Sequence, residues 1–154
     1  MSRWKVIFAT IMVLLLFTGA YLILFIMKPS EEGVGIYLLE SDELVISDLE
    51  IVSYNKTSHN IKLTDAGVEK IERLQVPLNG AGFVIKVEGE EIYRGAFWSP
   101  ISSIPYHGPL IETLVTDNTV KIQAGYPPSQ FQGEDPRDNP KIFDYLSRVG
   151  KLID

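Results

Sequence analysis

The longest uninterrupted apolar stretch of the chain lies near its amino terminus, from Val6 to Met27. It contains no charged side chain, and a helix of this length extends about 33 Å, enough to cross a hydrocarbon core of roughly 30 Å. A cleaved secretory signal has a shorter apolar region that ends in small residues, whereas this stretch ends in Phe25-Ile26-Met27. The pattern therefore predicts an uncleaved transmembrane anchor over 6–27.

The charges that flank this stretch are unequal. Two basic residues precede it, and one follows it before a pair of glutamates. Positively charged flanks stay on the cytoplasmic side of a membrane. The sequence therefore predicts a single-pass protein of the cell membrane, with a cytoplasmic tail over 1–5, a stem over 28–33 and an extracytoplasmic domain over 34–154.

In the outer domain, alternating apolar and polar residues indicate strands, and apolar residues three or four apart indicate helices. One helix is predicted to begin at Thr64, a good N-cap, and to stop before Pro77. A second is predicted to begin at Asn139-Pro140. Strands are predicted at 34–39, 51–54, 60–63, 110–115 and 119–124, with a hairpin over 83–97. The expected fold is an α+β domain with a mixed sheet of about six strands and two helices.

Composition narrows the classes of partner. Residues 28–154 carry 12 basic and 20 acidic side chains, a net charge of −8, which argues against binding nucleic acid or anionic lipid through charge. The chain has no cysteine, so its core must hold the domain without disulfides. Asn55-Lys56-Thr57 forms a glycosylation sequon, which matters only in a host that has the machinery.

Two segments, SDLEIVSYNKTSHNIKLTDAGVEKI and FVIKVEGEEIYRGAFWSPI, carry a resemblance to a known family. With the later stretch 119–125, they resemble the periplasmic head region of the SecD subunit of the protein-export machinery over about residues 45–126. The matching positions are Leu63-Thr64-x-x-Gly67, Val87-Glu88-Gly89 and Trp98-Ser99-Pro100. Glu88 departs from the family, which usually has aspartate before the turn glycine. The resemblance implies a small α+β fold and contact with exported polypeptides. The family also has a multi-helix membrane domain that drives export, and a single predicted anchor does not supply one.

The stretch GAFWSPISSIPYHGP, residues 95–109, is the richest in candidate contact residues. Rigid aromatic side chains are effective anchors for a protein or peptide partner, so Trp98, Tyr106 and His107 are predicted to bind one. The strand edge around 92–97 is a further candidate for accepting an extended peptide. The same stretch is also compatible with a connection that its prolines stiffen and whose aromatic rings cover the open end of the core.

Two other classes of function stay open from the sequence. A membrane-anchored hydrolase would use a serine nucleophile and His107 as base, oriented by Glu112 or Asp117; the candidate nucleophiles are Ser99, Ser102 and Ser103. A purely structural accessory subunit would pack through its membrane helix, where Gly19-Ala20 permits close approach. The oligomeric state is not encoded in any recognisable pattern.

No metal or cofactor site is predicted. His59 and His107 lie far apart in the chain without the spacing of a zinc motif. Asp135, Asp138 and Asp144 lack the spacing of a calcium loop. The glycines also form no phosphate-binding fingerprint. The sequence therefore favours a membrane-tethered binding domain over an enzyme.

Overall fold

The computed structural model describes residues 12, 33–128, 131 and 133–154. Two units make up the chain, residues 1–30 and 31–154. The predicted tail, anchor and stem lie outside the described residues, apart from Met12 and Gly33. Among the residues that are described, no helix is both long enough and apolar enough to cross a membrane.

The second unit contains nine strands and two α-helices within the described residues. The strands are β1 Val34–Leu38, β2 Leu44–Ser47, β3 Ile51–Asn55, β4 Asn60–Leu63, β5 Ala81–Val87, β6 Glu90–Trp98, β7 Tyr106–Glu112, β8 Thr119–Tyr126 and β9 Leu152–Ile153. The helices are α1 Asp65–Glu72 and α2 Pro140–Arg148, and a short 3-10 helix spans Pro136–Asp138. The predicted α+β class and the two helices are confirmed, whereas the prediction of about six strands was too low.

All nine strands belong to one mixed sheet with the order β2-β1-β5-β6-β7-β8-β4-β3-β9. The β6–β7 and β3–β9 pairs are parallel, and the other neighbours are antiparallel. Strand β6 therefore lies inside the sheet between β5 and β7. Within the predicted edge around 92–97, Ala96 and Phe97 pair with both β5 and β7 and are therefore interior, and the two outer strands of the sheet are β2 and β9.

The main core draws on both halves of the sheet. Ile36 and Ile85 from one half belong to the same buried cluster as Ile61 and Ile122 from the other. Helix α2 adds the buried Leu146 to that cluster, so the apolar face predicted from its spacing does pack against the sheet.

The opposite face of the sheet carries a smaller core. Successive strand residues point to opposite faces, so Phe97 joins the main cluster while Ala96 and Trp98 join a second one with Leu110. The β6–β7 connection, residues 99–105, links the two parallel strands and contributes two buried side chains, Ser99 and Ser102. The unusual stretch 95–109 is thus a crossover between parallel strands that has its own small core.

Candidate functional site

A groove runs between the edge strand β2 and the C-terminal end of helix α1. Its first part has a volume of about 250 Å³ and is lined by Glu43, Leu44 and Val45 on one side and Lys70, Arg73 and Leu74 on the other. Its second part has a volume of about 300 Å³ and is lined by Leu38, Glu40, Ser41, Leu74, Gln75, Val76, Pro77, Gly80, Ala81 and Gly82. Leu74 lines both parts, which lie on either side of it, and apolar residues such as Leu38, Val76 and Pro77 line the second part.

One wall of the first part is the edge strand β2. Strand β2 pairs only with β1, so its outer side has no strand partner, although both backbone groups of Ser47 are hydrogen-bonded to Glu50 within the β2–β3 turn. An extended peptide can add to such an edge through main-chain hydrogen bonds.

The other wall is held firmly by local interactions of α1. The Thr64 hydroxyl accepts a hydrogen bond from Gly67 N over 3.2 Å, which caps the helix. Farther along, Lys70 pairs with Glu50 at 2.9 Å. The helix therefore presents its last turn to the groove in a fixed position.

The predicted contact residues Trp98, Tyr106 and His107 occupy three different environments. Trp98 is only 2% exposed, and its ring packs against that of Tyr106 with the centroids 5.1 Å apart. The packing also requires Gly80, because a Cβ atom there would lie 2.5 Å from the Trp98 ring. Tyr106 is half-buried and His107 is exposed. In this conformation Trp98 supports the surface from below, while Tyr106 and His107 reach it.

The three serines considered as nucleophiles differ in their surroundings, and only the hydroxyl of Ser102 has hydrogen-bond partners within the described residues. The Ser102 hydroxyl donates to the Leu78 carbonyl over 2.6 Å and accepts from Ile104 N over 3.3 Å. Ser99 is buried and Ser103 is exposed. Within the described residues, no serine hydroxyl makes a hydrogen bond to His107. The contact that would let a histidine activate a serine is therefore not formed here.

A buried polar cluster surrounds His59, which the sequence shows only as an isolated histidine. His59 is 7% exposed and has a left-handed backbone with φ of 56°. Its Nδ1 shares a hydrogen bond of 2.9 Å with the Tyr54 hydroxyl, and its Nε2 lies 3.7 Å from Oδ1 of Asp138. Asp135 completes a group of three whose possible ligand atoms lie within 4.8 Å of one another.

An arginine from the same 3-10 helix already supplies positive charge to this group. Arg137 binds both carboxylate oxygens of Asp135, at 2.5 Å from Nη2 to Oδ2 and 2.9 Å from Nε to Oδ1, and donates from Nη1 to the Ile122 carbonyl. Burial, and then the charge of Arg137, lowers the pKa of His59. Burial alone would raise the pKa of Asp135, but the hydrogen bonds from Arg137 outweigh it and the pKa is lowered. We therefore interpret Asp135 as the ion-pair partner of Arg137 within a structural network around His59.

Sequence reasoning missed both the groove and this cluster. Tyr54 and His59 are close in the chain, but the residues that face them come from the segment around Arg137, with no local signal that links the two regions. Asn55 of the predicted sequon has a structural role: its Oδ1 accepts from Ser58 N over 2.7 Å, and its Nδ2 donates to the Asp154 carbonyl over 2.7 Å. A glycan on Nδ2 would therefore compete with the hydrogen bond to Asp154, whereas Oδ1 would still accept the bonds of the turn that precedes β4.

Comparisons with protein-family models, with curated proteins and with solved structures find no match for this chain. The resemblance to the SecD head region therefore rests on the motifs in the sequence. The function has to be argued from the geometry of the molecule itself.

Proposed function

We propose that this protein is a membrane-anchored, extracytoplasmic domain that binds extended polypeptides. The observation that carries the proposal is the groove between β2 and α1, which combines an unpaired strand edge with an apolar floor. Main-chain hydrogen bonds to the edge would supply affinity, and the apolar floor would accept alternate side chains of the bound segment. The apolar stretch 6–27 supports the anchor.

The direction of strand β1 favours access to this groove. The chain enters the domain at Gly33, whose carbonyl accepts from Glu88 N, and β1 then extends to Leu38 beside the groove. Five strand residues span roughly 16 Å. The entry point at Gly33 and the groove therefore lie at opposite ends of β1.

The proposed ligands are polypeptides in transit across the cell membrane, in keeping with the resemblance to the SecD head region. The motif Leu63-Thr64-x-x-Gly67 forms the start of α1, and Val87-Glu88-Gly89 forms the β5–β6 turn. Helix α1 is one wall of the groove, so the first of these motifs bears directly on the proposed site. The domain would act as an accessory to the export machinery.

A second surface supports contact with another envelope protein. Ile101 is 83% exposed, and Ile104 and Leu78 are exposed as well. The bond from Ser102 to the Leu78 carbonyl ties these segments together. We propose that Tyr106 and His107 contribute to this contact and that Trp98 supports it, because rigid apolar groups around an aromatic ring suit a protein interface.

The peptide proposal is tested with a fluorescein-labelled peptide of alternating valine and threonine, added to the full chain in detergent. Fluorescence anisotropy is expected to show binding that N-methylation of the peptide backbone abolishes, because methylated amides cannot pair with β2. Ser41→Trp places a large side chain in the groove and is expected to weaken binding. Ser103→Trp adds the same side chain at an exposed serine of the crossover and should leave binding unchanged.

Two results would contradict the proposal that the peptide binds in the groove. Equal binding of the N-methylated peptide would exclude pairing with a strand edge. Weakened binding in Ser103→Trp, with no change in Ser41→Trp, would place the ligand on the crossover surface around Tyr106 instead.

A further inference from the structure

Two acidic and two basic side chains line the groove, and they differ in whether they have a partner within the described residues. Its two cations are already paired with acids: Lys70 with Glu50 at 2.9 Å and Arg73 with Glu69 at 3.0 Å. Glu40 and Glu43 line the groove, and neither forms an ion pair within the described part of the chain. Both are exposed. The groove therefore has an acidic end with no internal counter-charge.

Backbone bonds fix the position of this acidic end. The turn between β1 and β2 is closed by a hydrogen bond of 2.8 Å from Leu38 N to the Glu43 carbonyl and one of 2.9 Å from Asp42 N to the Leu38 carbonyl. The side chain of Asp42 is bound by Lys86 at 2.6 Å. The turn thus presents Glu40 and Glu43 from a defined backbone, with Asp42 engaged on its own cation.

We propose that the groove selects extended peptides that carry a lysine or arginine beside an apolar run. This inference rests on the proposed function and names its ligand class. The apolar residues would lie over Leu74, Val76 and Pro77, and the basic residue would lie beside Glu40 and Glu43. A basic side chain there would be attracted by the two glutamates, whereas a carboxylate would be repelled by them.

The test compares two labelled peptides that share an alternating valine-threonine core. One has lysine at both ends and the other has glutamate at both ends, so the unknown direction of binding does not matter. With the full chain in detergent at low salt, the lysine peptide is expected to bind about fivefold more tightly, the upper end for one favourable surface ion pair. At about 0.5 M salt, where the screening length is about 4 Å, the difference should shrink.

A matched pair of variants separates the groove from the overall negative charge. Glu40→Gln with Glu43→Gln is expected to remove the preference for lysine. Glu134→Gln with Asp144→Asn removes the same net charge at exposed positions outside the groove and should preserve it. If both double variants lost the preference for the lysine peptide equally, the inference would be overturned, because the net charge of the domain would then explain the preference.

Failure of the inference can be told apart from failure of the proposed function. If both peptides bind equally well and Ser41→Trp weakens both, the groove binds peptides without selecting basic ones, and only the inference is wrong. If neither peptide binds, the proposed function fails and the inference fails with it.

Discussion

His59 combines a strained backbone with a buried, charged neighbourhood. A φ of 56° is uncommon for a residue with a side chain. Its backbone amide donates to the Asn55 carbonyl, and its own carbonyl accepts from Ile122 N. These bonds join the β3–β4 turn to β8 and hold the imidazole against Tyr54. The groups that face the ring are Tyr54, Asp135, Arg137, Asp138 and Lys121.

This environment predicts that the domain loses stability in mild acid. The folded protein holds the pKa of His59 below the unperturbed value of 6.5, so below about pH 6.5 the unfolded chain binds more protons than the folded one. The free energy of unfolding is therefore expected to keep its full value above that pH. As the pH is lowered further, it is expected to decrease by at most about 1.4 kcal/mol per pH unit. Urea unfolding of the full chain, at about pH 7.5 and about pH 5.5, measures this change.

His59→Asn should make unfolding less sensitive to acid, because asparagine tolerates a left-handed backbone and does not titrate. His107→Asn is the matched control, since His107 is exposed on β7. If the two variants and the unmodified protein lose the same free energy between the two pH values, the titrating group is not His59.

Trp98 shows what a sequence reveals about a single residue and what it does not. Its neighbourhood of serines and prolines is typical of a binding loop, but Trp98 is the last residue of strand β6, one position beyond the predicted hairpin. Its burial depends on Gly80, Leu110 and Tyr106, which reach it only after β5, β6 and β7 have aligned. The local sequence pattern contains no information on contacts between distant strands. It therefore could not distinguish a packed crossover from an exposed binding surface.

At the scale of elements, helix α1 was the best predicted part of the groove. Thr64 is its N-cap as expected, and Asp65 lies in its first turn. Gly67 has a packing reason that the motif alone does not give: a Cβ atom there would lie 3.0 Å from Cβ of Glu50. The start of α1 thus fits closely against the turn between β2 and β3.

The cap predicts a measurable loss of stability. Thr64→Ala removes the acceptor for Gly67 N and is expected to lower the free energy of unfolding by about 1 kcal/mol. The same substitution at Thr57, whose exposed side chain makes no hydrogen bond within the described residues, should change it by less than about 0.5 kcal/mol. Urea unfolding of both variants gives the comparison. A loss as large in Thr57→Ala would mean that capping is not the cause.

Strands that depend on distant partners were the harder elements to predict. Leu44–Ser47 and Leu152–Ile153 are too short to show an alternating pattern, and they exist because they pair with β1 and β3. The interior position of β6 likewise depends on a parallel partner that follows a crossover. The sequence therefore predicted the α+β class and most strands, but it could not predict the sheet order or the groove that the order creates.

At the scale of the whole molecule, one core joins strands from both halves of the sheet with helix α2. Phe83 from β5, Val120 from β8 and Leu146 from α2 all belong to the same buried cluster. The sheet edge at β2 is left unpaired by the same order that closes this core. Strand β2 itself contributes Val45 and Ile46 to this core, so variants that test the groove without opening the core are those at its exposed residues Glu40, Ser41 and Glu43.

The predicted orientation in the membrane belongs to this scale, and the absence of cysteine makes it testable. Single variants Ser2→Cys and Ser103→Cys place one thiol in the predicted tail and one at an exposed position of the domain. A membrane-impermeant maleimide is expected to label Ser103→Cys in cells with an intact cell membrane and Ser2→Cys only after lysis, because the basic flank holds the amino terminus inside. Labelling of Ser2→Cys alone in intact cells would reverse the orientation and place the groove in the cytoplasm. Labelling of both would indicate that 6–27 does not separate the two sites, and the groove would then need a ligand other than a polypeptide in transit.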